Sequence, residues 1–550
     1  MPPRPAALLV RASIAVTLLA LGQCAQPSPP ARPQSAATRL IARALDDIGA
    51  YYIAPLGERN LVLAGAENVT RLDRGLLVEE SPGSGRGAEL VLTQNARQLA
   101  VFPEPADGNR DLWAALLSGL VADATAASPK LLSLPRERID TALLDGMVGP
   151  LDRFSRYSSP QQARAERALR DGFGGIGIVL DDSKKGLVVT AVLPHGPAAR
   201  AGVRPQDRIT AIDGTPSSNL PEKEIIARLL GPVGSEVTLA LYRPQPPQNL
   251  RLSIRRGRIV IPAVSLSEAQ GIAFFRISSF NETTAKIVAR RLLSAERPSA
   301  PPLKGVILDL RGNPGGLLQQ AVELSDVFLK GGPIVSTIGR NPESNQYFVA
   351  SGDGIAPSLP VVVLLDGGSA SSSEIVASTL QDRKRAVVLG GSSYGKGTVQ
   401  TVLPLPNQGA LTLTWARLIT PGGYFLQHHG VVPNLCTSTL GAGRDAPPRL
   451  IRQAQAEEAR APLLSKPRGS LDEAGWKRLR AACPGRERDP MIDLKFARRL
   501  LSDPRLYAEA LGLVAAAKTP FPSRAFLAAG ASAPGLTGPR GLLFFVRHPL

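Results

Sequence analysis

The spacing of apolar residues changes along the chain, and those changes divide it. Over 111–124, Leu112, Leu116, Leu120 and Val121 recur at helical spacing and predict an amphipathic helix. Between 171 and 258 the pattern turns to short β runs. Gly177-Ile-Val-Leu180 and the run 186–192 are strand-like, 235–242 alternates with period two, and 221–230 reads as one helix among them. Between 259 and 440, Val306-Ile-Leu-Asp-Leu310 and Val361-Val-Val-Leu-Leu365 are continuous apolar and β-branched runs, as expected of strands covered on both faces. Helical stretches at 317–329 and 372–381 follow them, which is the order of crossover units. Residues 38–170 mix helical patterns with a polar, glycine-rich stretch at 80–87, and 441–550 carry a helix at 492–501 followed by a flexible Ala/Gly/Pro tail. The expected fold is multidomain α/β, with a β-rich module inserted at 171–258, a core at 259–440, and helical N- and C-terminal regions at 38–170 and 441–550.

Length agrees with this division, because 550 residues exceed what one hydrophobic core of ~250–300 residues can organise. With 43% hydrophobic and 20% charged residues the chain is ordinary globular material, neither wholly disordered nor a polytopic membrane protein. The net charge of +18 raises the question of nucleic acid. The arginines are spread along the whole length without a long basic run or aromatic interleaving, so no nucleic-acid partner is expected.

The N-terminus reads as an export signal over 1–25. Arg4 and Arg11 precede the apolar run 12–22, which is too short to span a bilayer, and a Pro/Ala/Ser linker follows at 26–37. Cys24 stands where a bacterial lipoprotein signal places its lipidated cysteine, although Gln23 occupies a position that favours a small residue. Lipid attachment and release of a soluble chain both stay open, and the expected location is the bacterial periplasm or cell envelope. The remaining cysteines, Cys436 and Cys483, are a disulfide candidate in an oxidising compartment, against the alternative of two buried thiols. With no CxxC, no HExxH and four histidines, neither a metal site nor a cofactor is expected.

Two groups of motifs carry chemistry. In the β-rich module, Gly175, Ile176, Gly177 and Ile178 sit just before a strand, where bare amides and a strand edge can take up a peptide carboxylate by β-augmentation. Downstream come His195-Gly-Pro-Ala-Ala-Arg-Ala-Gly-Val203 and Asp207-Arg-Ile-Thr-Ala-Ile-Asp-Gly214. Together these words resemble a PDZ domain, with Gln206 in place of the usual glycine, and the resemblance implies a protein C-terminus as ligand.

In the core, Asp309-Leu-Arg-Gly-Asn-Pro-Gly-Gly316 follows a buried strand and leaves glycine amides able to approach an oxyanion. Asp366-Gly-Gly-Ser-Ala-Ser-Ser-Ser-Glu374 opens a helix, whose N-terminal dipole favours developing negative charge; its serines can equally be simple caps. Gly395-Lys-Gly-Thr-Val-Gln400 places a lysine between glycines, where burial can lower its pKa toward that of a general base; a solvated surface lysine is the plainer alternative.

Taken in order after the PDZ-like module, the three stretches resemble the carboxyl-terminal processing peptidases, tail-specific serine peptidases with a Ser/Lys dyad. The resemblance covers about 140–435, from Leu151-Asp-Arg-Phe-Ser-Arg-Tyr-Ser-Ser-Pro160 to Gly430-Val-Val-Pro-Asn434. It implies a crotonase-like ββα peptidase core, with Ser371 as nucleophile, Lys396 as base and Gln400 orienting the lysine. The amide of Ser372 and one from Gly315 or Gly316 become the oxyanion donors. Ser372 replaces the family's usual alanine and is a second candidate nucleophile. The implied partners are protein substrates held by their C-terminal tails, with a homo-oligomer or adaptor open.

Three rivals remain. A Ser-His-Asp hydrolase would need His428 or His429 beside the serine. A crotonase-like enzyme would need CoA thioesters in a compartment that lacks them. A PDZ scaffold with an inactive peptidase domain has no reason to keep all three motifs.

Overall fold

The computed structural model describes residues 35–82, 87–183, 186–295, 301–439, 448–449, 451–452, 463, 466–486, 490–515 and 542–545. The export signal, Cys24 and most of the linker lie outside these residues.

The centre of the molecule is a sheet in the order Val264–Ala269, Ile272–Ile277, Gly305–Asp309, Val361–Leu365, Ala386–Gly390, Leu435–Cys436. The first pair is antiparallel and the others run parallel. Side chains alternate across each strand, so a continuous apolar run needs two covers. Val361, Val363 and Leu365 face one core with the helices Thr284–Ala295, Leu318–Asp326 and Ser372–Asp382. Val362 and Leu364 face a second core with Phe496, Leu500 and Leu506, from the helices Pro490–Leu501 and Pro504–Gly512. Each such fully buried side chain contributes roughly 1.5–3 kcal/mol. The C-terminal helices are therefore the second cover of the central sheet. Of the tail expected to be flexible, Leu542–Phe545 is described, as a strand parallel to Gln346–Ala350.

A second sheet contains Thr398–Pro404, Ala410–Ile419, Gly332–Ile338 and Gln346–Ala350 in that order. Its longest strand carries Leu411 and Leu413 out of the core and into the N-terminal helical cluster beside Leu117 and Leu143. That cluster also packs a three-stranded antiparallel sheet over 76–103, which the sequence pattern does not announce. The predicted helix at 111–124 is Arg110–Ala127, with one shift of face. Trp113 and Leu117 are buried there, while Leu112 is 53% exposed.

The β-rich module has its own core, from Ile176 to Ile254. Its first and last strands, Phe173–Gly175 and Gly257–Ile259, pair antiparallel and close the module where the chain enters and leaves. Asp207 is buried and forms a bidentate pair with Arg243 at 2.7 and 2.8 Å. Next to it Gln206 takes φ +74°, a left-handed conformation that glycine adopts at less cost.

Candidate active site

Three loops at the ends of core strands meet in a cleft of about 610 Å³ lined by Ser371, Lys396, Gln400, Phe280, Gly316 and Ile375. Ser371 stands at the N-cap of Ser372–Asp382 with φ +56° and ψ −115°, a conformation that costs a non-glycine residue of order 1–3 kcal/mol. Surrounding hydrogen bonds hold it there. Its N–H donates to Glu374 Oε2 at 2.8 Å, and its carbonyl accepts from the N–H groups of Glu374 and Ile375.

The Asn313–Gly316 loop lies against this turn. A side chain at Gly315 would put its Cβ 2.8 Å from Ser371 Cβ, so only glycine fits. Ala370 N–H and Ser373 Oγ both donate to the carbonyl of Asn313, at 2.9 and 3.0 Å. Ser372 Oγ donates to the carbonyl of Gly316 at 3.0 Å and so braces the loop. Asn313 Oδ1 takes the N–H of Gly315 at 2.8 Å. That corrects the assignment of Gly315 as an oxyanion donor, because its amide is already used. Gly316 lies in the cleft wall, and Ser372, the first residue of the helix, has an N–H with no carbonyl one turn earlier to receive it.

Lys396 is largely buried, with Nζ 5.1 Å from the Phe154 ring centroid. Burial is the main cause of a pKa below the usual lysine range, and the positive charge of Arg156 adds to it; Glu374 and Asp152 act the other way. The Gln400 amide donates to Thr398 Oγ1 at 2.9 Å and Thr414 Oγ1 at 3.2 Å, and Thr414 Oγ1 donates in turn to Asp152 Oδ1.

Glu374 joins the site although no chemistry is assigned to it from the sequence. Its carboxylate is fully buried and accepts from both the serine turn and the lysine loop: Ser371 N–H at 2.8 Å and Lys396 N–H at 2.9 Å on one oxygen, Ser393 Oγ at 2.5 Å and Gly395 N–H at 2.6 Å on the other. Burial pushes its pKa upward, and these donors oppose that. The signal was present, since Ser371-x-x-Glu374 has capping-box spacing.

Neither His428 nor His429 lines this cleft. His429 stacks on Trp476 with centroids 4.8 Å apart, and its Nδ1 contacts the carbonyl of Phe425. Cys436 and Cys483 are joined by a disulfide.

The module's apolar groove, about 650 Å³, lies between the edge strand Ile178–Ser183 and the helix Glu222–Leu229. Ile176, Gly177 and Ile178 line it together with Ile225 and Leu229. Gly175 lies outside it, paired with Gly257 in the closing strands, which corrects its assignment to the peptide site. Ile261 and Pro262 line both the groove and the cleft, so the two cavities adjoin.

Ser371 at a strained helix start, the largely buried Lys396 in the same cleft and an adjoining apolar groove are the parts of the site. The Peptidase family S41 model matches residues 271–436, and a PDZ domain model matches 188–243. The chain is 38% identical over 294 residues to a carboxy-terminal-processing protease of Bartonella bacilliformis, covering 53% of this chain and 68% of that one. It is 31% identical to the carboxy-terminal processing protease CtpA of Bacillus subtilis, covering 54% of this chain and 64% of the relative. A solved photosystem II D1 C-terminal processing protease aligns with 73% of this chain and 92% of its own, at 22% identity and a TM-score of 0.36. The chain belongs to the carboxy-terminal-processing proteases, serine-type peptidases of family S41 that carry a PDZ domain.

Proposed function

We propose that this protein is an exported endopeptidase that holds protein substrates by their C-terminal tails in the PDZ groove and cuts them with a Ser371–Lys396 dyad in a crotonase-like core. Neutral Lys396 takes the proton of Ser371 Oγ as that oxygen attacks the scissile carbonyl. The amides of Ser372 and Gly316 receive the oxyanion; losing one such donor typically costs ~10²–10³ in rate. Lys396 then protonates the leaving amine, and water resolves the acyl-enzyme. Gln400, tied through Thr414 to Asp152, orients the lysine. The observation that carries this reading is the buried carboxylate of Glu374, one oxygen of which accepts from the main-chain N–H groups of both Ser371 and Lys396 and so ties their loops together.

The tail lies along the edge strand Ile178–Ser183, and the rest of the substrate passes Ile261 and Pro262 into the cleft. The apolar lining favours apolar, uncharged tails. Export to the periplasm or cell envelope is supported by the N-terminal pattern and by the Cys436–Cys483 disulfide, which suits an oxidising compartment. A fatty-acid label that is incorporated in the parent and lost in Cys24→Ala would place the chain on the membrane.

The deciding experiment is cleavage of an unstructured reporter with an apolar C-terminal tail by parent, Ser371→Ala and Lys396→Ala. Cleavage by the parent alone, with both variants folded, supports the dyad. Cleavage retained in Ser371→Ala refutes it.

A further inference from the structure

The helix Glu473–Ala482 lies beyond the residues matched by the family model, yet it reaches the back of the active site. Its Trp476 is buried and packs against both Tyr424 and His429, with ring centroids 4.8 Å away in each case. The disulfide to Cys436 ties its C-cap, Cys483, to the end of the central sheet. Between these anchors Arg480 enters the loop that precedes the lysine. Its Nη1 donates to the carbonyl of His429 at 2.5 Å and its Nη2 to the carbonyl of Ser393 at 2.9 Å. Ser393 is the residue whose hydroxyl donates to Glu374 Oε1. A Cβ on Gly430 would lie 2.7 Å from Arg480 Nη1, 2.8 Å from Ser393 Oγ and 3.1 Å from Glu374 Oε1. The missing side chain thus leaves the space in which guanidinium and carboxylate approach each other.

We propose that Arg480 is a positioning residue for the Ser371–Lys396 pair, acting through Glu374, so that the C-terminal segment is part of the catalytic unit. The proposal rests on the dyad reading above. Arg480 does two things at once. Its hydrogen bonds fix the Ser393 and His429 peptides on either side of Glu374, and its charge keeps the buried carboxylate ionised and able to accept from the main chains it joins. The titratable groups that face Glu374 are Arg480 from this helix, Lys396 from the lysine loop and Tyr424 from the strand-following turn. Of these Arg480 is the one whose positive charge the mechanism does not require to be lost. Burial lowers its pKa and the charge of Glu374 opposes that.

The test uses the mature full chain, with Arg480→Gln, Arg480→Lys, Glu374→Gln and the double variant Glu374→Gln/Arg480→Gln. The readouts are kcat and KM on a tailed peptide from about pH 6 to about pH 9, with thermal unfolding as the check on folding. Arg480→Gln is expected to lower kcat by about tenfold or more with KM nearly unchanged. The deficit should be largest at the acid end, where Glu374 without its cation takes up a proton, and should shrink as pH rises. Arg480→Lys, which keeps the charge, should retain the parent's pH profile. The double variant should be no slower than Glu374→Gln alone, because Arg480 acts through that carboxylate. A kcat for Arg480→Gln within about twofold of the parent throughout overturns the proposal. So do losses that are equal at every pH and multiply with those of Glu374→Gln, since that is the signature of a merely structural contact. If Arg480→Gln does not fold, Arg480→Lys completes the same cycle and multiplying losses again overturn it. An inert Ser371→Ala beside an unaffected Arg480→Gln sinks this proposal alone, whereas an active Ser371→Ala sinks the dyad reading.

Discussion

Ser372 donates its hydroxyl to the carbonyl of Gly316 across the gap between the serine helix and the glycine loop. The bond settles that hydroxyl on a structural partner, although it sits next to Ser371 in a run of serines. Ser372→Ala should therefore keep the activity, with kcat lowered by no more than about tenfold, since one neutral hydrogen bond is worth about 1 kcal/mol. Steady-state cleavage of a tailed peptide checks this. A loss as deep as that of Ser371→Ala would make Ser372 the nucleophile.

Gly315 makes a sharper demand. Its φ is +104°, and any Cβ would meet Ser371 Cβ at 2.8 Å. Gly315→Ala should displace the nucleophile and lower kcat by roughly 10²-fold, the scale of a misplacement near 1 Å. Global unfolding in denaturant should move by only ~1–3 kcal/mol. Normal turnover in a folded Gly315→Ala would show that the loop yields without moving Ser371.

The pH dependence follows from Lys396. Its pKa is lowered by burial and by Arg156; under the proposed dyad the lysine must be neutral to act as base, so activity should rise with pH through that lowered pKa. Removing a like charge raises a lysine pKa, and Arg156→Gln also releases Glu166 from its 3.2 Å pair with Arg156. Both effects should move the rising limb of the kcat profile to higher pH. A limb that stays in place or moves toward acid would mean that Arg156 does not act on Lys396.

The PDZ groove should select by charge as well as by apolar area. It is lined by Ile176, Ile225 and Leu229, with Glu222 at its margin. Replacing an apolar terminal residue of the substrate by Asp should raise KM by about tenfold or more, because a carboxylate would be buried without a partner beside another acid. Isothermal titration with tail peptides reads the same preference, and equal affinities for both tails would contradict it.

Gln206 offers a prediction free of the catalytic chemistry. It adopts φ +74° where the family pattern has glycine, and it donates its N–H to the Val189 carbonyl at 2.7 Å. Gln206→Gly keeps that bond and removes the left-handed penalty, so it should stabilise the chain by ~1 kcal/mol in denaturant unfolding. Destabilisation would mean that the glutamine side chain contributes more than its backbone costs.

The bridge between Cys436 and Cys483 spans a sequence separation of 47. In the chain-entropy view a loop of that length is worth up to about 4 kcal/mol. The double variant Cys436→Ala/Cys483→Ala should unfold at clearly lower denaturant concentration, and an unchanged midpoint would show that the C-terminal helices hold the sheet without it.

The local chemistry was legible in the chain because it is written in neighbours. Buried strands announce themselves as apolar runs, and glycines mark where backbone must come close. The Ser371-x-x-Glu374 spacing was in plain view too, but only as a helix cap. That its carboxylate also receives Lys396 depends on a loop brought in from elsewhere. Gly315 was misassigned for a similar reason. An amide that looks free in sequence is taken by Asn313 Oδ1, two residues away, once the turn closes. The stripe that included Leu112 slipped because Trp113 and Leu117 are the residues that face the N-terminal core.

The sequence by itself determined the main elements of the β-rich module and the core, the order of the modules and the residue types at the cleft, since each follows from short-range pattern and backbone sterics; the sheet over 76–103 was not among them. Tertiary structure decided what covers what. The second face of the central sheet needed a partner, and nothing in Val362 or Leu364 says that it is Phe496 and Leu500. The strand carrying Leu411 and Leu413 joins a distant helical core, and Arg480 meets Ser393 from 87 residues away. Apolar burial is non-directional, so composition shows that surface must be hidden without showing where. A buried carboxyl group such as that of Glu374 finds its donors only after the chain has closed around them.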